Sequence, residues 1–350
     1  MNLFTDTLGL RAPILQAPMA GVQGHALAAA VCEAGGLGAV PAAMLTPDAL
    51  DAELTALRAR TERAFNVNFF AHRTPAPDPA RLARWHAALA PYYREFDLNP
   101  QAMPEGPGRQ PFGAEALAVL RRHRPAVVSF HFGLPEPALL AEVRALGCRV
   151  WSSATTVAEA RWLVDHGVDA VIAQGLEAGG HRGLFLSDDL STQLGTFALL
   201  PQVVRAVSVP VIAAGGIADV AGIRAAQALG ATAVQIGTAY LCTPEATTSA
   251  LHRAALQSDA VAHTALTNLF SGRPARGIVN RVMRELGPLC DAAPAFPLAT
   301  AAIAPLRAAA EARGDSGFTP LWSGQNARGL RSVSADELTR EWVAAWLASV

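Results

Sequence analysis

Eight short apolar runs, each followed by a stretch of helical character, constrain this chain more than any other feature. They lie at residues 14–17, 38–41, 64–69, 127–132, 149–153, 170–173, 211–214 and 233–237. Short runs that are apolar throughout read as strands buried on both faces. Strands that alternate with helices build a parallel sheet with crossover helices. Eight such units suit a closed TIM (β/α)8 barrel. An open doubly wound sheet fits the same alternation, because the pattern alone does not show closure.

Two regions depart from the rhythm. Between Arg73 and Phe112, the Pro- and Gly-rich stretches TPAPDP and NPQAMPEGPGRQP flank a helix candidate at 80–96 that carries Trp85, Tyr92 and Tyr93. This is an insertion after the third strand. It reads either as a surface excursion or as an aromatic cover over a pocket mouth, since loops after barrel strands lie on the catalytic face. From Thr243 onward the pattern is mainly helical, without clear strands, and includes SGRPARG at 271–277. The expected organisation is a barrel over 1–242, with the insertion at about 73–112, and a helical C-terminal cap or small subdomain over 243–350.

Composition narrows the function classes. With 51% hydrophobic and 16% charged residues among 350, the chain can fill a large core. Its formal net charge is -1 and it has no long basic run, which argues against nucleic acid as a partner. Cys32, Cys148, Cys242 and Cys290 show no CxxC spacing, so neither a zinc site nor a disulfide framework is indicated, and a reducing cytoplasm is the simplest setting. No apolar run reaches membrane-spanning length and no signal-peptide pattern opens the chain.

The polar residues of interest fall at strand ends. They are Met19 after the first strand, Asn68 on the third, His131 on the fourth, Gln174 and His181 after the sixth, Gly215 and Gly216 after the seventh, and Gln235, Gly237 and Thr238 on the eighth. In a barrel such ends converge on one face, where active sites lie. The stretch QGLEAGGHRG carries a strand end into a glycine-rich loop that presents His181, either as a base beside a reaction centre or as a solvated histidine in a tight turn. The paired glycine turns leave main-chain N–H groups for an anion, helped by the helix that begins near Asp219, so a phosphorylated cofactor is expected. His131, between Phe130 and Phe132, is a core histidine or part of the pocket wall. His25, His72, His86, His123, His166, His252 and His263 have no supporting context. The absence of HExxH, GxSxG and Walker patterns argues against a metal, a serine nucleophile and a P-loop.

Taken together, QAPMAG, AGGLG, FNVNFF, SFHFGLP, QGLEAGGHRG, AAGGIAD and QIGTAYL, in this order over roughly residues 10–285, resemble the nitronate monooxygenases, formerly 2-nitropropane dioxygenases, and their class I branch in particular. The resemblance implies an FMN-dependent TIM barrel that needs no metal. It implies oxidation of alkyl nitronates, notably propionate 3-nitronate, with O₂ to an aldehyde or oxo acid plus nitrite or nitrate. Carried over by position, Asn68, Gln174, Gly179, Gly180, Gly215, Gly216, Gln235, Ile236, Gly237 and Thr238 are implied to hold FMN, with Met19 and Ala20 along the isoalloxazine. His181 is implied as the catalytic histidine, with His131 and Ser129 near flavin or substrate. Arg273 and Arg276, or the aromatics of the insertion, are the groups that would meet a substrate carboxylate. The segment after Tyr240 has no further tyrosine, where substrate-side aromatics would be expected. Barrels of this kind often form homodimers. The same flavin barrel serves FMN enoyl-acyl-carrier-protein reductases of the FabK type and NADH:quinone reductases, and a flavin-free metabolite-binding barrel is a third class.

Overall fold

The computed structural model describes residues 3–106 and 108–348. Met1, Asn2, Pro107, Ser349 and Val350, which fall in the expected barrel, insertion and C-terminal segments, lie outside the described residues.

Eight parallel strands are present: β1 (Ile14–Gln16), β2 (Gly38–Pro41), β3 (Phe65–Phe70), β4 (Val127–His131), β5 (Arg149–Ala154), β6 (Ala170–Gln174), β8 (Val211–Ala214) and β9 (Ala233–Ile236). The seventh element, β7 (Gly180–His181), lies outside the barrel. Every barrel strand ends within one residue of its expected bound. The sheet runs β1-β9-β8-β6-β5-β4-β3-β2. Leu15 and Leu37 form a parallel bridge, with Gln16 N–H donating to Leu37 O and Leu37 N–H to Ile14 O, both at 2.9 Å. That bridge joins β1 to the β2 side, so the sheet closes and the open doubly wound alternative is excluded.

Apolar residues fill the N-terminal half of the barrel lumen. Leu15, Leu37, Val127, Ile172 and Ile212 cluster there with Trp151. Phe4, from the opening helical turn Leu3–Thr7, meets Trp151 edge-on at 5.7 Å. With that end filled, the lumen opens to a ligand at its C-terminal mouth.

The ring of outer helices is completed late in the chain. Helix α12 (Ala335–Leu347) packs between α1 (His25–Glu33) and α8 (Val220–Ala228). Its start reads Ser-Ala-Asp-Glu, and Ser334 Oγ accepts from Glu337 N–H at 3.1 Å, the N-terminal half of a capping box. Its apolar stripe, Leu338, Trp342, Val343 and Trp346, joins the main core. Within that stripe Thr339 Oγ1 meets Tyr240 Oη at 2.8 Å.

A second core contradicts two expectations. The aromatics of the insertion are neither a surface excursion nor a pocket cover. Helix α3 (Pro79–Glu95) buries Trp85, Tyr92 and Tyr93 against α11 (Ala299–Ala312), together with Phe270, Met283 and Phe318. Trp85 Nε1–H donates to Ala299 O at 3.4 Å and Tyr93 O–H to Ala302 O at 2.6 Å. The C-terminal segment also contains strands. β10 (Thr264–Thr267) and β11 (Ala275–Ile278) pair antiparallel, and β11 pairs with β7. These strands are four residues long and one carries Arg276. β10 is held by β11, its neighbour in sequence, and β11 in turn by β7 in the distant histidine loop, through Ala275 with His181 and Arg276 with Gly180, so no local apolar run announces them. Among the described residues, no helix is long and apolar enough to cross a membrane, and no group of three His, Cys, Asp or Glu is placed to hold a metal.

Candidate active site

At the C-terminal mouth the strand ends line a cleft of about 270 Å³. Met19, Ala20, Asn68, His131, Gln174, Gly179, Gly180, His181, Gly215, Gly216, Gln235, Gly237 and Thr238 all face it. Two of the expected residues do not. Ile236 is fully buried in the main core. Ser129 is fully buried beneath Asn68, and its Oγ accepts from Asn66 Nδ2 at 2.8 Å and Asn68 Nδ2 at 2.9 Å. Ser129 therefore orients the Asn68 amide, leaving the Asn68 oxygen for the cleft.

At one end of the cleft several main-chain turns meet. Gly215 and Gly216 adopt φ of 112° and 73°, values that disfavour any side chain. A Cβ on Gly179 would lie 2.6 Å from Gly324 N, so this approach requires glycine. The N–H groups of Gly179, Gly216, Gly237 and Thr238 have no acceptor among the described residues. Free N–H groups converging in this way form an anion cradle. The expected help from the α8 dipole is offset at its source. Asp219 caps that helix with its own carboxylate, accepting from Gly222 N–H at 2.8 Å.

The histidine loop is braced from below. Gln174 Nε2 and His131 Nε2 both donate to His181 O, at 2.9 and 3.1 Å, and Gly183 N–H donates to Gln174 Oε1 at 2.8 Å. Gln174 faces the cleft, but both ends of its amide are committed to the loop. Because a carbonyl only accepts, His131 carries its proton on Nε2, and its Nδ1 accepts from Ser153 O–H at 3.0 Å. Beneath the loop Arg182 is fully buried. It donates to Gly175 O at 2.6 Å, Gln174 O at 2.8 Å and Gln193 Oε1 at 3.0 and 3.1 Å.

His181 sits in an aromatic box. The rings of Phe70, Phe132, Phe296 and Trp322 lie 5.8, 6.0, 5.6 and 5.7 Å from its own. Burial, then the positive charge of Arg109 and further nearby cations, holds its basicity well below the ordinary histidine value. His181 Nε2 meets Ser271 Oγ at 2.8 Å, and when the Ser271 hydroxyl turns to Arg273 O at 3.3 Å its oxygen accepts from Nε2–H. In that arrangement the lone pair is on Nδ1, which has no partner among the described residues.

Several residues at the cleft carried no local signal. Arg109 comes from the Pro- and Gly-rich insertion, Arg307 from α11, and Trp322 from the C-terminal segment. His252, on α9 (Ala250–Leu256), also lines the cleft and donates from Nε2 to Trp322 O at 3.0 Å. His72 lies 4.8 Å from the Phe296 ring, buried within the same aromatic cluster. The two arginines singled out from SGRPARG are struts outside the cleft lining. Arg276 donates to Leu176 O at 2.9 Å and Thr264 Oγ1 at 3.1 Å. Arg273 donates to Leu184 O and covers the Phe132 ring at 4.3 Å.

This architecture makes the fold acid-sensitive. Burial lowers His72, His131 and His252 to about 4 each, from 6.5. The unfolded chain therefore takes up these protons first. The stability they confer is complete above pH 6.5 and is lost as pH falls toward 4, at about 1.4 kcal/mol per pH unit for each histidine. Urea denaturation at pH 7 and pH 5 should show this loss, and H252Q should remove one proton's share of the slope. A slope unchanged by H252Q would place the His252 proton uptake elsewhere.

A cleft at the C-terminal mouth of a closed barrel, lined by free main-chain donors and a neutral, half-buried histidine, places the chain among barrel enzymes. Comparison with known proteins specifies which. A family model described as nitronate monooxygenase matches residues 2–344. A nitronate monooxygenase of Paraburkholderia phytofirmans is 43% identical over 95% of this chain and 92% of its own length. One from Pseudomonas aeruginosa is 42% identical over 97% of each. The structure of nitroalkane oxidase from Streptomyces ansochromogenes superposes with a TM-score of 0.89 at 41% identity, covering 99% of this chain and 98% of that one. FabK from Thermotoga maritima gives a TM-score of 0.71 at 26% identity, covering 100% and 97%. The protein is an oxidoreductase. It belongs to the nitronate monooxygenase family.

Proposed function

We propose that this protein oxidises alkyl nitronates, propionate 3-nitronate among them, with O₂ and bound FMN, yielding a carbonyl compound and nitrite or nitrate. The observation that carries this reading is the charge of the cleft. Among its described lining residues there are two arginines and no Asp or Glu, in a chain whose net charge is -1. Such a wall favours an anion, and a nitronate is one.

The residues fit FMN. The cradle of Gly179, Gly216, Gly237 and Thr238 suits a phosphate, and the close packing of Gly179 on Ser323 and Gly324, which leaves no room for a Cβ, holds its N–H in place. Met19 and Ala20 offer an apolar edge, and Asn68 and Gln235 present amides, Gln235 with no side-chain hydrogen bond among the described residues. Bound FMN would supply the electron acceptor and the reaction with O₂. The chain's own residues do the rest. The aromatic box places apolar rings on several sides of His181. Arg109 supplies positive potential beside it. His181 Nδ1 orients the nitronate, or accepts the α-proton when a neutral nitroalkane enters. A base held well below 6.5 is weak toward a carbon acid, so the site favours substrate that arrives already ionised. The four cysteines are unpaired, in keeping with a cytoplasmic setting.

Oxygen uptake by the purified protein, with propionate 3-nitronate and separately with NADH, tests the reading. Fast uptake with the nitronate and none with NADH is the expected result. The likeness to FabK keeps an FMN-dependent NAD(P)H reductase as the second reading. Flavin bleaching by NADH without nitronate turnover would establish that reading instead.

A further inference from the structure

The cleft holds a cation that the structure leaves without a counter-ion. Arg307 is paired, its Nε 2.7 Å from Glu311 Oε1. Arg109 has no carboxylate partner among the described residues. Among the described residues its guanidinium makes one hydrogen bond, from Nη1 to Thr300 Oγ1 at 3.0 Å, and the Thr300 hydroxyl is itself directed at Phe270 O at 3.1 Å. Nε and Nη2 of Arg109 are uncommitted. Burial, and the charge of Arg307 nearby, bring its basicity down to about 10, so it remains cationic at neutral pH. A half-buried guanidinium beside a second one is costly until an anion joins them.

Topology separates this cation from the phosphate cradle. The insertion carrying Arg109 leaves the barrel after β3, four strands around the ring from β8, whose end bears Gly215 and Gly216. Those two strands face each other across the mouth. Arg109 reaches the cleft beside Phe296, whose ring centre lies 5.8 Å from the guanidinium and 5.6 Å from the His181 ring. One aromatic face thus connects the histidine to the unpaired cation.

We propose that Arg109 is a specificity-determining residue that binds a carboxylate at the far end of the substrate, while the nitronate group lies at His181. The substrate's carbon chain would then lie against Phe296. The guanidinium fork suits a two-pronged grip on a carboxylate, which a lysine cannot reproduce. This assignment rests on the nitronate reading above.

Two measurements test it. The first is the ratio of kcat/KM for propionate 3-nitronate to that for propyl-1-nitronate, which lacks the carboxylate, in wild type, R109M and R109K. R109M should lower that ratio by about 30-fold or more, chiefly through KM, as expected when one partner of a buried charge pair is removed. R109K should recover part of the loss. The second is calorimetric binding of succinate, whose second carboxylate mimics the nitro group, against butyrate. Wild type should prefer succinate, and R109M should abolish the preference. An equal loss on both nitronates would overturn the proposal, since Arg109 would then serve the reacting group. An unchanged ratio would overturn it equally. If wild type oxidised neither nitronate, the functional reading would fail, while Arg109-dependent succinate binding would still support the carboxylate site. Should R109M not fold, R109Q serves in both measurements.

Discussion

Replacing His181 by asparagine should cut kcat/KM for a neutral nitroalkane by about 10²–10⁴, the usual worth of a positioned base. Asparagine keeps a polar group in the aromatic box but has no lone pair of comparable basicity where Nδ1 lies. The loss with a preformed nitronate should be smaller, under about 10-fold, because only orientation is removed and no proton has to be taken. Flavin content should be retained, since the anion cradle is built from other residues. The wild-type pH profile checks the same point. Burial and the neighbouring arginines hold His181 well below 6.5. Its free base is therefore already formed at pH 6.5, and nitroalkane kcat/KM should show no acid limb from His181 between pH 6.5 and 8. Equal losses on the two substrates would remove the base role and leave His181 as a binding group.

Arg182 should carry the largest stability effect. Its guanidinium is fully buried and lies among acceptors, with the carbonyls of Gln174 and Gly175 and the amide oxygen of Gln193 all within 3.1 Å. R182L would leave these acceptors buried and unpaired. Hydrogen bonds to charged groups contribute about 1.5–3 kcal/mol each, and they act here as one unit, so a loss of about 3–5 kcal/mol is expected from urea denaturation. R182K should fall between, since it keeps the charge but not the fork. The loop from Gln174 to His181 would lose its underside, so nitronate turnover should fall as well. A loss below about 1 kcal/mol would mean that the loop can satisfy these acceptors in another way.

The residues that could be read from sequence are those whose role is local. Alternating strands and helices are written into consecutive side chains, so all eight barrel strands were legible to within one residue at each end. Gly215, Gly216 and Gly179 were legible because glycine marks backbone that no other residue adopts there, and His181 because it follows a strand end in such a loop. Closure of the barrel was not legible, because it rests on one bridge between Leu15 and Leu37 and on a last outer helix that arrives only at Ala335. Nor were the aromatic box and its cation. Phe296, Trp322 and Arg109 reach His181 only because Tyr93 and Trp85 anchor the insertion to a helix more than 200 residues away. Side-chain type also misled where context was missing. Arg273 and Arg276 sit in a sequence that invites a ligand, yet the fold uses them to tie the histidine loop to β11 and its turn. The sequence by itself determined the strands, the glycine turns and the loop that presents His181, since each depends on conformations available to neighbouring residues. The tertiary structure alone decided which cation stays unpaired beside that histidine, because pairing depends on which distant surfaces burial brings together.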